Sequence, residues 1–154
     1  MATGIEIKIT DNSEEIKKAM EEQVNAWLQA IGEDASDTSA SLLARIPVVD
    51  TGRLMNSISW ATKENHGGSE TPQGTPESYT VYIGTNVEYA IYHEFGTGEF
   101  ASAGSKAKKI PWAFKGKDGE WHYTSGVKAR HYLQFGMTAH KSEYKAMLEQ
   151  YLKS

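Results

Sequence analysis

The sequence predicts an α+β fold, with a long N-terminal helix and a C-terminal helix packed on a small antiparallel β-sheet. Three observations carry that expectation. Ile16, Met20, Val24, Trp27, Leu28 and Ile31 recur at helical spacing. Near the other end Tyr144, Met147, Leu148, Tyr151 and Leu152 share one helical face. Between them lie short runs that alternate with the period of a half-buried strand, separated by glycine-rich turns. All 154 residues fit one domain spanning 1–154.

The elements follow in order. Ile5, Ile7 and Ile9 alternate with Glu6 and Lys8, which predicts a first strand. Asp11-Asn12-Ser13 offers helix caps, with Glu15 three residues after Asn12 in the manner of a capping box. Gly32 could end the helix that follows, but Ala35, Thr38, Leu42 and Ile46 continue its stripe in phase. The reading is one helix to about Arg45, strained or kinked at Gly32, with Pro47 just beyond. Such a helix spans about 50 Å at 1.5 Å per residue. A compact chain of this length is roughly 38 Å across. The helix would therefore overhang its own domain and present an apolar stripe for a partner.

Asp50-Thr51 can cap a short helical turn over Gly52–Asn56, where Gly52 lets the backbone bend tightly. Leu54 and Ile58, four apart, can lock that turn onto the core. Ile58 and Trp60 begin a strand, residues 64–78 read as a loop, and Tyr79, Val81 and Ile83 form the next strand. That strand ends at Gly84, where a side chain would obstruct a crossing chain. Asn86 can cap a short helix carrying Tyr89, Ala90, Tyr92, His93 and Phe95. Residues 96–109 are rich in Gly, Ala, Ser and Lys, with little to anchor them, and read as a flexible loop. Asp118-Gly119 joins Ile110–Phe114 to Trp121–Tyr123 as a hairpin. A final helix runs from about Gln134 to Leu152.

Net charge is −4, which disfavours general nucleic-acid binding. Its distribution is uneven. Residues 1–99 hold 6 Lys/Arg against 16 Asp/Glu, whereas residues 100–131 hold 7 against 2. The basic segment is either a solvated loop or a surface complementary to the acidic body of a neighbouring subunit. With no cysteine, the chain has neither a disulfide framework nor thiolate chemistry. No apolar run approaches a membrane span and no signal peptide opens the chain, so the expectation is a soluble protein made in the cytoplasm.

Catalytic patterns fail on inspection. His93-Glu94 lacks the second histidine that a metalloprotease helix needs four positions on, because residue 97 is Thr. His66, His93, His122, His131 and His140 show no ligand spacing. Gly96-Thr97-Gly98 lacks the strand, helix and Gly-Lys-Ser/Thr of a phosphate cradle, and reads as glycines ending a helix. Glu14-Glu15 and Glu21-Glu22 belong on a solvated helix face. No cofactor or metal is expected. Lys106, Lys108 and Lys109, with Trp112 and Phe114 nearby, leave one alternative: a small nucleic-acid-binding module on the basic 106–130 segment.

Three segments in order give the chain a family likeness. They are Pro47-Val48-Val49-Asp50-Thr51-Gly52-Arg53-Leu54-Met55-Asn56-Ser57-Ile58, then Val81 to Ala90 running into Tyr92-His93-Glu94-Phe95-Gly96-Thr97, then Gly126 to Leu133. Together they resemble the neck or tail-component family encoded between the head and tail genes of lambda-like long-tailed bacteriophages and prophages. One departure is His131-Tyr132-Leu133, where that family usually has Pro-Phe-Leu, and it bears on where the last helix begins.

The resemblance implies a virion structural protein, assembled in the host bacterial cytoplasm. It would form a ring with copies of itself between head-closure (adaptor) and tail-terminator proteins, with DNA passing through the lumen and no catalytic residues. Thr51, Gly52, Arg53, Leu54, Gly84, Tyr89, Glu94 and Gly96 are the expected structural motif. Glu94 is either an exposed carboxylate or an anchor to backbone amides or to Arg53. Lys106, Lys108, Lys109 and Trp112 are the expected inter-subunit contacts, on a loop that orders on assembly.

Overall fold

A computed structural model describes residues 4, 8, 10–46, 51–68, 76–104 and 109–153. The expected strand at Ile5, Ile7 and Ile9, and Pro47 to Asp50, lie outside the described residues. The architecture is α+β. Helix α1 runs unbroken over Ser13–Ala44, followed by α2 (Thr51–Ser57), β1 (Ser59–Thr62), β2 (His66–Gly67) and β3 (Val81–Gly84). Then come α3 (Ala90–Phe95), the hairpin β4 (Trp112–Lys115) and β5 (Trp121–Thr124), and helices α4 (Tyr132–Thr138) and α5 (Lys141–Lys153). The three-stranded antiparallel sheet has the order β2-β1-β3, and β4-β5 form a separate ribbon.

Helix α1 is the spine on which β1, β3, α4 and α5 pack. Its start is not the expected capping box. Asn12 makes no side-chain cap; instead the Ser13 amide donates to Asp11 Oδ1 at 2.9 Å. Burial begins only at Leu28 and continues through Ile31, Ala35 and Leu43. Ile16 and Met20 each stay 52% exposed, so the N-terminal part of the helix does present an apolar stripe to solvent. Leu43, Ile46, Leu54, Ile58, Val87, Ala90 and Tyr132 form the core at the other end.

The middle of α1 is built from small residues, and that composition sets how closely its neighbours approach. Gly32 does not interrupt the helix. A side chain there would meet Trp60 Cγ at 2.8 Å and Cδ2 at 2.9 Å, so the glycine seats the indole. Directly across the sheet from Trp60 stands Gly67, whose missing side chain leaves room for the other end of the same ring. Buried Ser36 and Ser39 donate their hydroxyls to the Gly32 and Ala35 carbonyls at 2.7 and 2.9 Å, which removes the cost of burying them. Gly136 of α4 comes down on this stretch: a methyl group at 136 would lie 2.5 Å from the Ala35 carbonyl oxygen and on Ser39 Oγ.

Gly136→Ala is therefore expected to lose about 1–2 kcal/mol, although alanine is the better helix former by about 1 kcal/mol. Chemical denaturation reads the sign. Adding Ser39→Ala would restore little, because the backbone carbonyl still blocks the methyl group.

The single C-terminal helix of the sequence reading is two helices, broken at Ala139-His140. The break puts His140 and Tyr144 on the same carboxylate of α1. His140 Nδ1 donates to Asp34 Oδ2 at 2.7 Å, and the Tyr144 hydroxyl donates to it at 2.6 Å. Trp27 Nε1 adds a bond to the Tyr144 carbonyl at 2.7 Å. Burial pushes the Asp34 carboxyl up, but hydrogen bonds from Tyr144 and His140 outweigh it and hold the group below its ordinary 3.8. The same carboxylate, by its hydrogen bond and then its charge, holds His140 above 6.5.

A raised histidine stabilises the fold fully below its unfolded value and loses that contribution as pH rises through the folded one. A depressed carboxylate stabilises above its unfolded value and loses that contribution as pH falls. The clasp is thus strongest between about pH 4 and 6.5. Asp34→Asn should return the His140 titration, followed by NMR, toward 6.5 and flatten the stability difference across that window. An unmoved His140 titration would remove the clasp.

Candidate assembly surface

The motif residues of the sequence reading gather where α3 meets α4. Glu94 is 5% exposed, and its carboxylate accepts the backbone amides of Leu133 at 2.9 Å and Gln134 at 3.2 Å. These are amides of the first turn of α4, which no residue of its own caps. His131, just ahead of that turn, sits in the left-handed region with φ 48°. Glu94 supplies the cap from another helix, and its negative charge suits that end of the α4 dipole. Arg53 is exposed and is not its partner.

Backbone pairing completes the joint: Arg130 donates to the His93 carbonyl at 2.7 Å and His131 to the Glu94 carbonyl at 3.1 Å. Tyr132, wholly buried, donates its hydroxyl to the Ala90 carbonyl at 3.1 Å. A proline at 131 could adopt neither that φ nor that hydrogen bond, so the departure from Pro-Phe-Leu matches a local geometry that begins α4 at Tyr132. Burial, with the nearby Arg130 charge, holds His93 below 6.5 and so neutral at neutral pH.

Gly96 ends α3 at φ 74°, where its amide donates to the Tyr92 carbonyl at 2.9 Å. The run beyond it is better anchored than its composition suggests. Thr97 donates to the Val127 carbonyl, Glu99 to the Ser125 carbonyl, and the Val127 amide to Thr97 Oγ1, all within 2.9 Å. Gly98 and Gly126 let these two strips of backbone touch. The expectation of a loop with little to hold it therefore fails over 96–102. Residues 105–108, including Lys106 and Lys108, lie outside the described residues, while Lys109 is exposed. Trp112 is half-buried, with its ring over Gly98 of its own chain, and so anchors the ribbon.

Two glycine roles differ from the sequence reading. Gly52 lies within α2 and Gly84 at the end of β3, both with open space where a side chain would go. Neither relieves a clash among the described residues. Leu54 is buried in the core as a residue of α2, and Tyr89 packs against the same cluster. The Thr51 side chain lies outside the described part of the structure.

Several large apolar side chains remain in solvent. Ile91, Tyr92 and Phe95 of α3 are 57, 54 and 52% exposed beside a groove of about 390 Å³ that reaches Gly84 and Leu133. Ile16 and Met20 line a second groove of about 480 Å³ with Val24 and Tyr79. On the ribbon, Trp121 and Tyr123 are 67 and 76% exposed. The sequence reading placed Trp121 and Tyr123 in the hairpin without naming them as contacts, although two aromatics two apart on a strand share a face. Among the described residues no three His, Cys, Asp or Glu side chains converge as a metal site would require. No helix there is long and apolar enough to cross a membrane.

Residues 7–96 match the family model described as "Bacteriophage HK97-gp10, putative tail-component". The chain belongs to this family. The match takes in α1 through α3 and stops at Gly96, so the ribbon, α4 and α5 of this family member lie beyond it. The family is one of phage tail components, which implies a place in the phage particle. No curated protein and no solved structure matches the chain.

Proposed function

We propose that this tail-component family member is a structural protein of the phage neck, with no reaction of its own. Copies form a ring between the head-closure and tail-terminator layers, and DNA passes through it. The observation that carries the reading is large apolar surface on three separate elements, α1, α3 and the β4–β5 ribbon. Contiguous exposed apolar surface marks protein contacts. A ring subunit set between two layers needs several such faces, for its neighbours in the ring and for the layers above and below. The acidic balance of residues 1–99 suits a passage for DNA, since lysine and arginine contacts to phosphate would hold the strand back.

The test is a phage stock unable to make the protein. Filled heads and finished tails should accumulate unjoined, and purified protein should join them. A reconstruction of the joined particle should then show a ring of this chain at the junction. Infectious particles formed without it, or a neck containing none of it, would overturn the reading.

A further inference from the structure

We propose that the outward face of the β4–β5 ribbon docks into the α1 groove of a second copy of this chain. The inference rests on the neck reading and names the contact that would build its ring. Strand register separates the two faces of the ribbon. Phe114 pairs with His122 and Trp112 with Thr124 on one face, where Phe114 and His122 stack at 5.5 Å and Trp112 covers Gly98. Ala113 pairs with Tyr123 and Lys115 with Trp121 on the other. That second face holds the two most exposed aromatics of the described residues, with a lysine beside them. Trp and Tyr on a rigid support are the side chains that most often dominate binding energy at protein interfaces.

The receptor is on the same chain but elsewhere. Ile16, Met20 and Val24, spaced four apart along the exposed start of α1, form with Tyr79 an apolar groove of about 480 Å³. No ribbon residue lines it. Charge selects the pairing. Residues 11–22 hold five carboxylates against two lysines, and residues 109–117 hold Lys109, Lys115 and Lys117 with no acid. Ribbon against groove sets lysine beside Glu14, Glu15 and Glu21. Ribbon against ribbon would set lysine beside lysine.

A knob and a socket on different elements make a head-to-tail contact, which closes into a ring when the rotation allows. A two-stranded ribbon alone covers less than the roughly 1,200 Å² of a lasting interface, so free protein stays largely monomeric and the contact forms when copies are gathered on the neck.

The absence of native cysteine permits a direct test. Tyr123→Cys and Met20→Cys proteins, mixed at high concentration with a short bis-maleimide, should give dimer several-fold above either protein alone. They should also exceed a Glu149→Cys and Met20→Cys mixture, since Glu149 is as exposed but lies on neither surface. Lys115→Glu in the first protein should lower the yield, and Glu21→Lys in the second should restore it. A yield no higher than the Glu149 control would overturn the proposal. So would Tyr123→Cys capturing itself equally well, or single-stranded DNA quenching Trp121 and abolishing capture. If Trp121→Ala protein joins heads to tails normally and the capture fails, the contact is wrong while the neck reading stands. If capture succeeds and heads join tails without the protein, the neck reading fails alone.

Discussion

Trp60→Ala is expected to remove about 3–5 kcal/mol of stability, the range for deleting a large buried aromatic. Small domains hold only about 5–15 kcal/mol in total, so the variant would sit near the edge of unfolding. Trp60 is 5% exposed and lies between Gly32 of α1 and Gly67 of β2, joining helix to sheet through one ring. Gly32 and Gly67, the two positions that lie against the ring, have no side chain with which to fill the space it would leave.

The companion result separates a seat from a mere flexible point. Gly32→Ala improves helix propensity by about 1 kcal/mol. Its methyl group would nevertheless lie 2.8–3.0 Å from three Trp60 atoms, so the net effect should be destabilising. In a Trp60→Leu background the same change should become neutral or favourable, a coupling that a double-mutant cycle measures directly. A gain in stability from Gly32→Ala in the native background would sink this account of the glycine.

Glu94→Ala should cost about 2–4 kcal/mol. Hydrogen bonds to a charged group contribute roughly 1.5–3 kcal/mol, and a buried donor left alone costs about 1–3 kcal/mol. Both amides it serves are in the first turn of α4, the helix that carries Tyr132 into the core and Gly136 onto α1. Glu94→Gln keeps an acceptor and should recover about half the loss, since capping by a neutral amide lacks the charge–dipole contribution. Hydrogen exchange at Leu133 and Gln134 should quicken far more than elsewhere in α4. A change below about 0.5 kcal/mol would reduce Glu94 to an ordinary surface carboxylate.

The parts legible in the sequence are those that short-range chemistry governs. The apolar stripe from Ile16 onward placed α1 to within a residue, since its period survives Gly32. Asp118-Gly119 placed the ribbon turn, with Gly119 at φ 83°. Strand β3 was legible from Val81 and Ile83, though Tyr79, at φ 61°, falls outside it. Strand β2 was not, because two residues inside a polar, glycine-rich run have no periodicity of their own. The break at Ala139-His140 was missed for the opposite reason: the apolar spacing crosses it almost undisturbed.

The likeness to phage tail components was already present in the sequence, carried by the segments Pro47–Ile58, Val81–Thr97 and Gly126–Leu133; the family match covers the first and runs through the second to Gly96, and the third lies beyond it. The residues that look functional in such motifs then divide in the structure. Leu54, Tyr89 and Glu94 hold the fold together, whereas Gly52 and Gly84 face open space.

By itself, then, the amino-acid order determined the fold class, the extent of the long helix, the ribbon and the family, because periodicity and turn chemistry act over a few neighbouring residues. Tertiary structure alone decided that Gly32 receives Trp60, that Gly136 rests on Ser39, that Glu94 caps a helix starting at Tyr132, and which ribbon face meets solvent. Each of those joins residues distant along the chain, and close packing, which tolerates no misplaced methyl group, is settled only when the elements meet.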